Sequence, residues 1–158
     1  MDIFFTHRRK YKVNDNVDNV RANLQGIADR KWNDFSNNIT GRLNADDSFK
    51  LTHKWSFAVF RWIENSPAYL SGTLTTEGNK TIIQTSLRPN SIFVMFFYLF
   101  TVLFLCEAVG IDTFFQGPKS LNLLFFAFFN LVLFGLIKMY TSRLRNRFER
   151  LLQLQHDQ

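Results

Sequence analysis

Residues 91–140 read SIFVMFFYLFTVLFLCEAVGID, then TFFQGPKS, then LNLLFFAFFNLVLFGLIKMY. The first apolar run, Ile92 to Ile111, is interrupted only by Thr101 and Glu107, and the second, Leu121 to Ile137, only by Asn122 and Asn130. Each has about the 20 residues a helix needs to cross a hydrocarbon core at 1.5 Å per residue. A strand at that depth would leave backbone N–H and C=O groups unpaired, so helix is required of two isolated segments. The competing arrangement, two core helices of a soluble protein, fails on supply. A chain of 158 residues cannot cover two helices that are apolar all round. The stretch therefore predicts a two-helix transmembrane hairpin over 91–140, with spans of about 91–111 and 120–138.

Basic residues near the ends of the spans set the orientation. Lys80 and Arg88 precede the first span, and Lys138, Arg143, Arg145, Arg147 and Arg150 follow the second. The connecting loop has Lys119 alone, balanced by Asp112. Seven against one predicts both termini in the cytoplasm, in the inner membrane of a bacterium, with Asp112 to Lys119 outside. Phe114 and Phe115 suit the outer interface, and Gly117-Pro118 supplies the turn just ahead of the second helix.

Net charge divides in the same way: +4 over residues 1–90, −2 over 91–117 and +4 over 118–158, for a total of +6. A basic excess beside two spans points to anionic lipid head groups, with Lys138, Arg143, Arg145, Arg147 and Arg150 as the contacts. Residues 1–90 hold no Arg/Lys-rich run with interleaved aromatics, so nucleic acid is not an expected partner. The single cysteine, Cys106, lies inside the first span and forms no intramolecular disulfide. MDIFFTHRRK lacks an apolar core long enough for a cleaved signal peptide, so the first span is expected to serve as its own insertion signal.

Residues 1–90 read as a cytoplasmic α+β domain, one helix on an antiparallel sheet. A strand is expected over residues 2–13, where Tyr11 and Val13 alternate with Lys10 and Lys12. Val17, Val20, Leu24 and Ile27 recur at helical spacing after the cap-type residues Asn14 to Asn16, predicting an amphipathic helix that ends near Arg30 or Lys31. Strands follow at Ile39–Leu43 and Phe49–Lys54, the latter with Phe49 and Leu51 inward and Lys50, Thr52 and Lys54 outward. Trp55 to Ile63 fits either a strand or a segment lying on the membrane. Tyr69–Thr76 and Lys80–Leu87 form a hairpin around a Gly-containing turn. Beyond the second span, residues 141–158 form a basic amphipathic tail. Its Leu144, Phe148, Leu151 and Leu152 are expected against the inner interface or the sheet.

The runs FKLTHKWSF, PAYLSGTL and TIIQTSLRPN resemble small bacterial membrane proteins that carry a β-rich cytoplasmic part before paired spans. The resemblance covers residues 49–110 and implies no activity and no site residues.

Catalytic signatures are missing. The histidines are His7, His53 and His156, and none has a second ligand-type residue at metal spacing. His53, preceded by Asp46 and Asp47, is the nearest approach to a polar cluster, and it reads as a surface histidine after a solvated turn. Cys106 in hydrocarbon stays protonated and inert. No GxGxxG, GxxxxGK[ST] or GxSxG is present, and no enzyme activity, cofactor or metal is expected. The polar residues within the spans carry the functional expectations. Thr101 and Asn130 fall at equal depth in an antiparallel hairpin, so Asn130 is expected to face the first span and bond near Thr101. Ala108 and Ala127 supply small residues on the same contact. Glu107, about 120° round from Thr101, is expected off that contact and reaching for the outer interface. The whole reads as a non-catalytic interaction domain at the inner face of a bacterial membrane, in an accessory, regulatory or immunity-type role. Membrane lipids and a protein partner or a second copy are the expected partners. An anionic-lipid sensor and a channel-forming oligomer working through Glu107 and Asn130 are the alternatives.

Overall fold

Period-two alternation and period-3.6 stripes divide this chain between sheet and helix. The computed structural model describes residues 5–28, 38–54, 66–78, 80–111 and 117–154. The elements are β1 (His7–Val13), α1 (Val17–Ala28), β2 (Ile39–Leu43), β3 (Ser48–His53), β4 (Ala68–Glu77), β5 (Lys80–Pro89), α2 (Ser91–Val109) and α3 (Lys119–Leu151). This is an α+β architecture, as the patterning predicts, and α2 and α3 are long and apolar enough to cross a membrane. Trp55 to Ile63, the proposed helix end at Arg30 or Lys31, Asp112, Phe114, Phe115 and His156 lie outside the described residues.

The chain forms two compact units, residues 1–90 with 140–158, and residues 91–139. In the first, five antiparallel strands run in the order β1-β5-β4-β3-β2. The β4–β5 hairpin closes with Glu77 opposite Lys80, and Gly78 turns it at φ +63°, where a side chain would be strained. One face of the sheet is apolar: Tyr11, Leu51, Phe49, Leu70, Leu74 and Ile83 are all buried. Val20, Leu24 and Ile27 form the buried stripe of α1, and Tyr140, Leu144 and Phe148 that of the last turns of α3. Phe148 sets its ring against Tyr11 of β1 and Phe49 of β3. Of the two places open to the apolar face of the tail, the structure has the sheet. The tail is the end of a single 33-residue helix.

The second unit is an antiparallel pair, α2 against the first turns of α3. Phe93, Phe97, Phe100, Phe104 and Glu107 recur every three or four residues along α2 and face inward. Phe100 stacks on Phe129 with 5.2 Å between ring centroids. α2 ends where Gly110, at φ +89°, lets Ile111 N–H reach back to the Cys106 carbonyl. α3 starts on Pro118, whose carbonyl accepts from Leu121 and Asn122.

Candidate functional site

The second face of the sheet carries no helix among the described residues. Strand alternation puts every other residue of β1, β3, β4 and β5 on it, and the register aligns them in rows. Arg8 stands opposite Ser86, Ser86 opposite Ser71, Ser71 opposite Lys50, and Lys50 opposite Arg42, one row across all five strands. The next row is Lys10, Gln84, Thr73 and Ser48, with Ser48 paired to Thr73. Arg88 follows on β5, opposite Tyr69.

These rows line an open hollow of about 820 Å³. Its lining includes Arg8, Lys10, Lys50 and Arg88 and the hydroxyls of Ser48, Ser71, Thr73 and Ser86, and no acidic residue among those described. Arg9 also borders it, but its guanidinium pairs with Glu149 at 3.4 Å. Arg8, Lys10, Lys50 and Arg88 are exposed, and Lys50 Nζ lies 4.5 Å from the centre of the Tyr69 ring. Asp46, in the turn beside the hollow, accepts from both the backbone and the hydroxyl of Ser48, which hold its carboxyl below the usual carboxylate range. Among the described residues, Ser86 Oγ is buried without a hydrogen-bond partner. Leaving such a group unsatisfied costs about 1–3 kcal/mol. Of the lining hydroxyls, Ser48 already donates to Asp46 and Ser71 to the Ser86 carbonyl at 3.3 Å, so the cations and the Ser86 hydroxyl are what suit the oxygens of an anion.

The buried face holds its own polar contacts. His53 is 4% exposed, which corrects its reading as a surface histidine. Alternation puts it on the face of Phe49 and Leu51, where its Nε2–H donates to the Tyr140 carbonyl at 3.0 Å. Burial pushes its pKa down, and the charges of Arg147 and Arg143 add to that, against the hydrogen bond to Tyr140. His53 and the two aspartates are not brought together: Asp47 takes Arg21 Nη2 at 2.6 Å, and Asp46 is held by Ser48. Tyr11 donates to Glu149 Oε1 at 2.7 Å. Burial first, then this carboxylate, pushes the phenol up to about 12. Among the described residues no group of three His, Cys, Asp or Glu side chains is placed to hold a metal ion.

In the helix pair the structure brings Thr101 and Asn130 together, Oγ1 donating to Oδ1 at 3.1 Å. The same hydroxyl lies 2.7 Å from the Phe97 carbonyl. Glu107 departs from expectation. It is 6% exposed and accepts from Asn122 Nδ2 at 3.0 Å. Thr101 and Glu107 are indeed about 120° apart, but they are the two margins of one wide stripe with Phe97, Phe100 and Phe104 between them. Ala108 and Ala127 are both exposed, a second correction. Phenylalanine rings, not small residues, make this contact. Of the basic tail residues, Lys138, Arg143 and Arg150 are exposed, Arg145 is half-buried, and Arg147 donates to the Asn38 carbonyl at 3.4 Å.

Sequence reasoning placed Lys10, Lys12, Lys50 and Thr52 on alternating strand positions but missed the basic face. The cations are spread over four strands, and only the register gathers them. No known protein-family model matches the chain, and no curated protein or solved structure is significantly similar to it.

Proposed function

We propose that this chain is a membrane-anchored, non-catalytic binding protein. Its hairpin sits in the inner membrane of a bacterium, and its sheet domain offers the open basic face to an anionic partner at the cytoplasmic side, in an accessory or regulatory role. The observation that carries this is the row Arg8, Ser86, Ser71, Lys50, Arg42, five polar side chains in register beside a hollow with no acid among its described lining residues. Anchoring is supported by exposure: only 17% of the most apolar window of either long helix is buried, whereas a soluble core helix is buried nearly all round. The seven-to-one count of basic residues supports cytoplasmic termini.

Two experiments test it. Reporter fusions at Gln158 and at Lys119 should report opposite compartments, with Gln158 inside; a periplasmic signal from Gln158 overturns the orientation. Photo-cross-linking groups at Lys50 and Thr73, on the open face, should give adducts in intact cells, and one at Asn23, on the exposed side of α1, should not. Equal labelling from all three removes the open face as the binding surface.

A second reading, an anionic-lipid sensor, is favoured by the exposed Lys138, Arg143 and Arg150. Liposome flotation across anionic lipid content should then show binding that weakens with salt. The channel-forming oligomer has least support, because Glu107 and Asn130 each find a polar partner within one hairpin.

A further inference from the structure

The hollow on the open face is more selective than a charged surface. It is an open concavity of about 820 Å³, so any selectivity comes from the placement of its polar groups and not from enclosure. Its floor is the pair Ser71 and Ser86, side by side on β4 and β5. Arg8 flanks them on β1 and Lys50 on β3, with about 14 Å of sheet between these outer strands at the usual strand spacing. Lys10 and Arg88 stand on the neighbouring rows. Four cations, with no carboxylate among the described lining residues and Asp46 beside them held by Ser48, exceed what one phosphate neutralises, and their separation suits charge spread along a ligand. The lining offers no protruding apolar anchor of the kind a polypeptide interface is built around.

We infer that this hollow binds a soluble small molecule bearing two or more phosphate groups, with Arg8, Lys10, Lys50 and Arg88 taking the charge and the Ser86 hydroxyl donating to a phosphate oxygen. The inference rests on the open face being the binding surface and adds the class of ligand. Arg8 provides a planar fork for two oxygens of one phosphate, and Lys50 a point charge for another. Ser86 Oγ is without a partner among the described residues and screened from solvent, so a phosphate oxygen would satisfy it once the side chains over it part.

The test is calorimetric titration of inorganic tripolyphosphate into the full chain in nanodiscs of zwitterionic lipid. Inorganic phosphate and sulfate are the comparison ions. Saturable binding of one tripolyphosphate per chain is expected, at least tenfold tighter than either single anion. Lys50→Gln and Arg8→Gln, both at exposed positions, should each weaken it about tenfold, and Ser86→Ala about threefold with no fall in melting temperature, since it removes an unsatisfied buried hydroxyl. Absence of saturable binding overturns the inference, as does binding that all three variants leave intact. Weakening by the charge variants with none from Ser86→Ala also overturns it, since diffuse attraction then accounts for the effect. A further arm uses nanodiscs with anionic lipid. If tripolyphosphate then fails to compete while Lys50→Gln reduces attachment to anionic vesicles, the face belongs to head groups and the inference falls. Cross-links from Lys50 and Thr73 with no tripolyphosphate binding would leave the open face as an interaction surface and remove only the ligand class.

Discussion

Phe148, near the end of α3, stacks on Phe49 of β3 with 5.8 Å between ring centroids and 20° between planes. Both rings are almost wholly buried, and Phe49 in turn lies against Gly72 of β4, where a Cβ would meet its ring at 2.5 Å. The C-terminal helix is thereby part of the core of the sheet unit. Phe148→Ala should cost about 3–5 kcal/mol. Gly72→Ala, whose Cβ also meets the Gln84 backbone carbonyl of β5 at 2.5 Å and so displaces backbone as well as the ring, should cost at least about 1–3 kcal/mol. Denaturant melts of the full chain in detergent measure both. Limited proteolysis beyond Arg143 should accelerate in the Phe148 variant and stay at the parental rate if the helix merely lies in solvent.

Tyr11 and Glu149 make the polar counterpart of that contact. The phenol, pushed up to about 12 from 10.0, is held neutral in the folded chain. The unfolded chain releases that proton first as pH rises, so the contribution is complete below pH 10 and is lost toward about 12. Glu149→Gln should bring the titration back toward the ordinary range. The difference in phenolate absorbance between the parent and Tyr11→Phe isolates this tyrosine from the other three.

His53 titrates with the opposite consequence. Burial lowers its folded pKa below 6.5, so the unfolded chain binds the proton more readily. Stability is complete above about pH 6.5 and falls as pH drops toward the folded value, by at most about 1.4 kcal/mol per pH unit. His53→Gln should flatten that limb of a stability profile measured from pH 7 downward. An unchanged slope would assign the acid sensitivity to other groups.

Thr101 and Asn130, and Glu107 and Asn122, form two polar rungs in the helix pair. In hydrocarbon such a bond contributes about 0.6 and at most about 2 kcal/mol, so Asn130→Val should weaken the pair only modestly against its phenylalanine packing. With Cys106 changed to Ser, the pairs Thr101→Cys with Asn130→Cys and Glu107→Cys with Asn122→Cys should each close a disulfide within one chain. Dimers from Asn130→Cys alone, with no intrachain product from the pairs, would mean that Asn130 faces a second copy.

Much of this protein is legible in the order of its residues, because periodicity is a local property. The stripe of Val20, Leu24 and Ile27, the alternation through Phe49 and Leu51, the glycine turn between β4 and β5 and the two long apolar runs each declare an element within a few turns of chain. The depth match of Thr101 and Asn130 is legible too, since an antiparallel hairpin with a short loop leaves little freedom in register.

Only the tertiary structure decided the rest. His53 continues the inward alternation of its strand, but the backbone carbonyl it meets belongs to Tyr140, 87 residues away. Glu107 turned inward because a helix contact is wider than the line through Thr101, so both margins of the stripe are covered. The basic hollow was out of reach because strand patterning orders side chains along one strand and says nothing of which strands lie beside it. Arg8, Ser86, Ser71 and Lys50 become neighbours only once β1, β5, β4 and β3 are paired in one register, and that pairing is set by the packing of the opposite face.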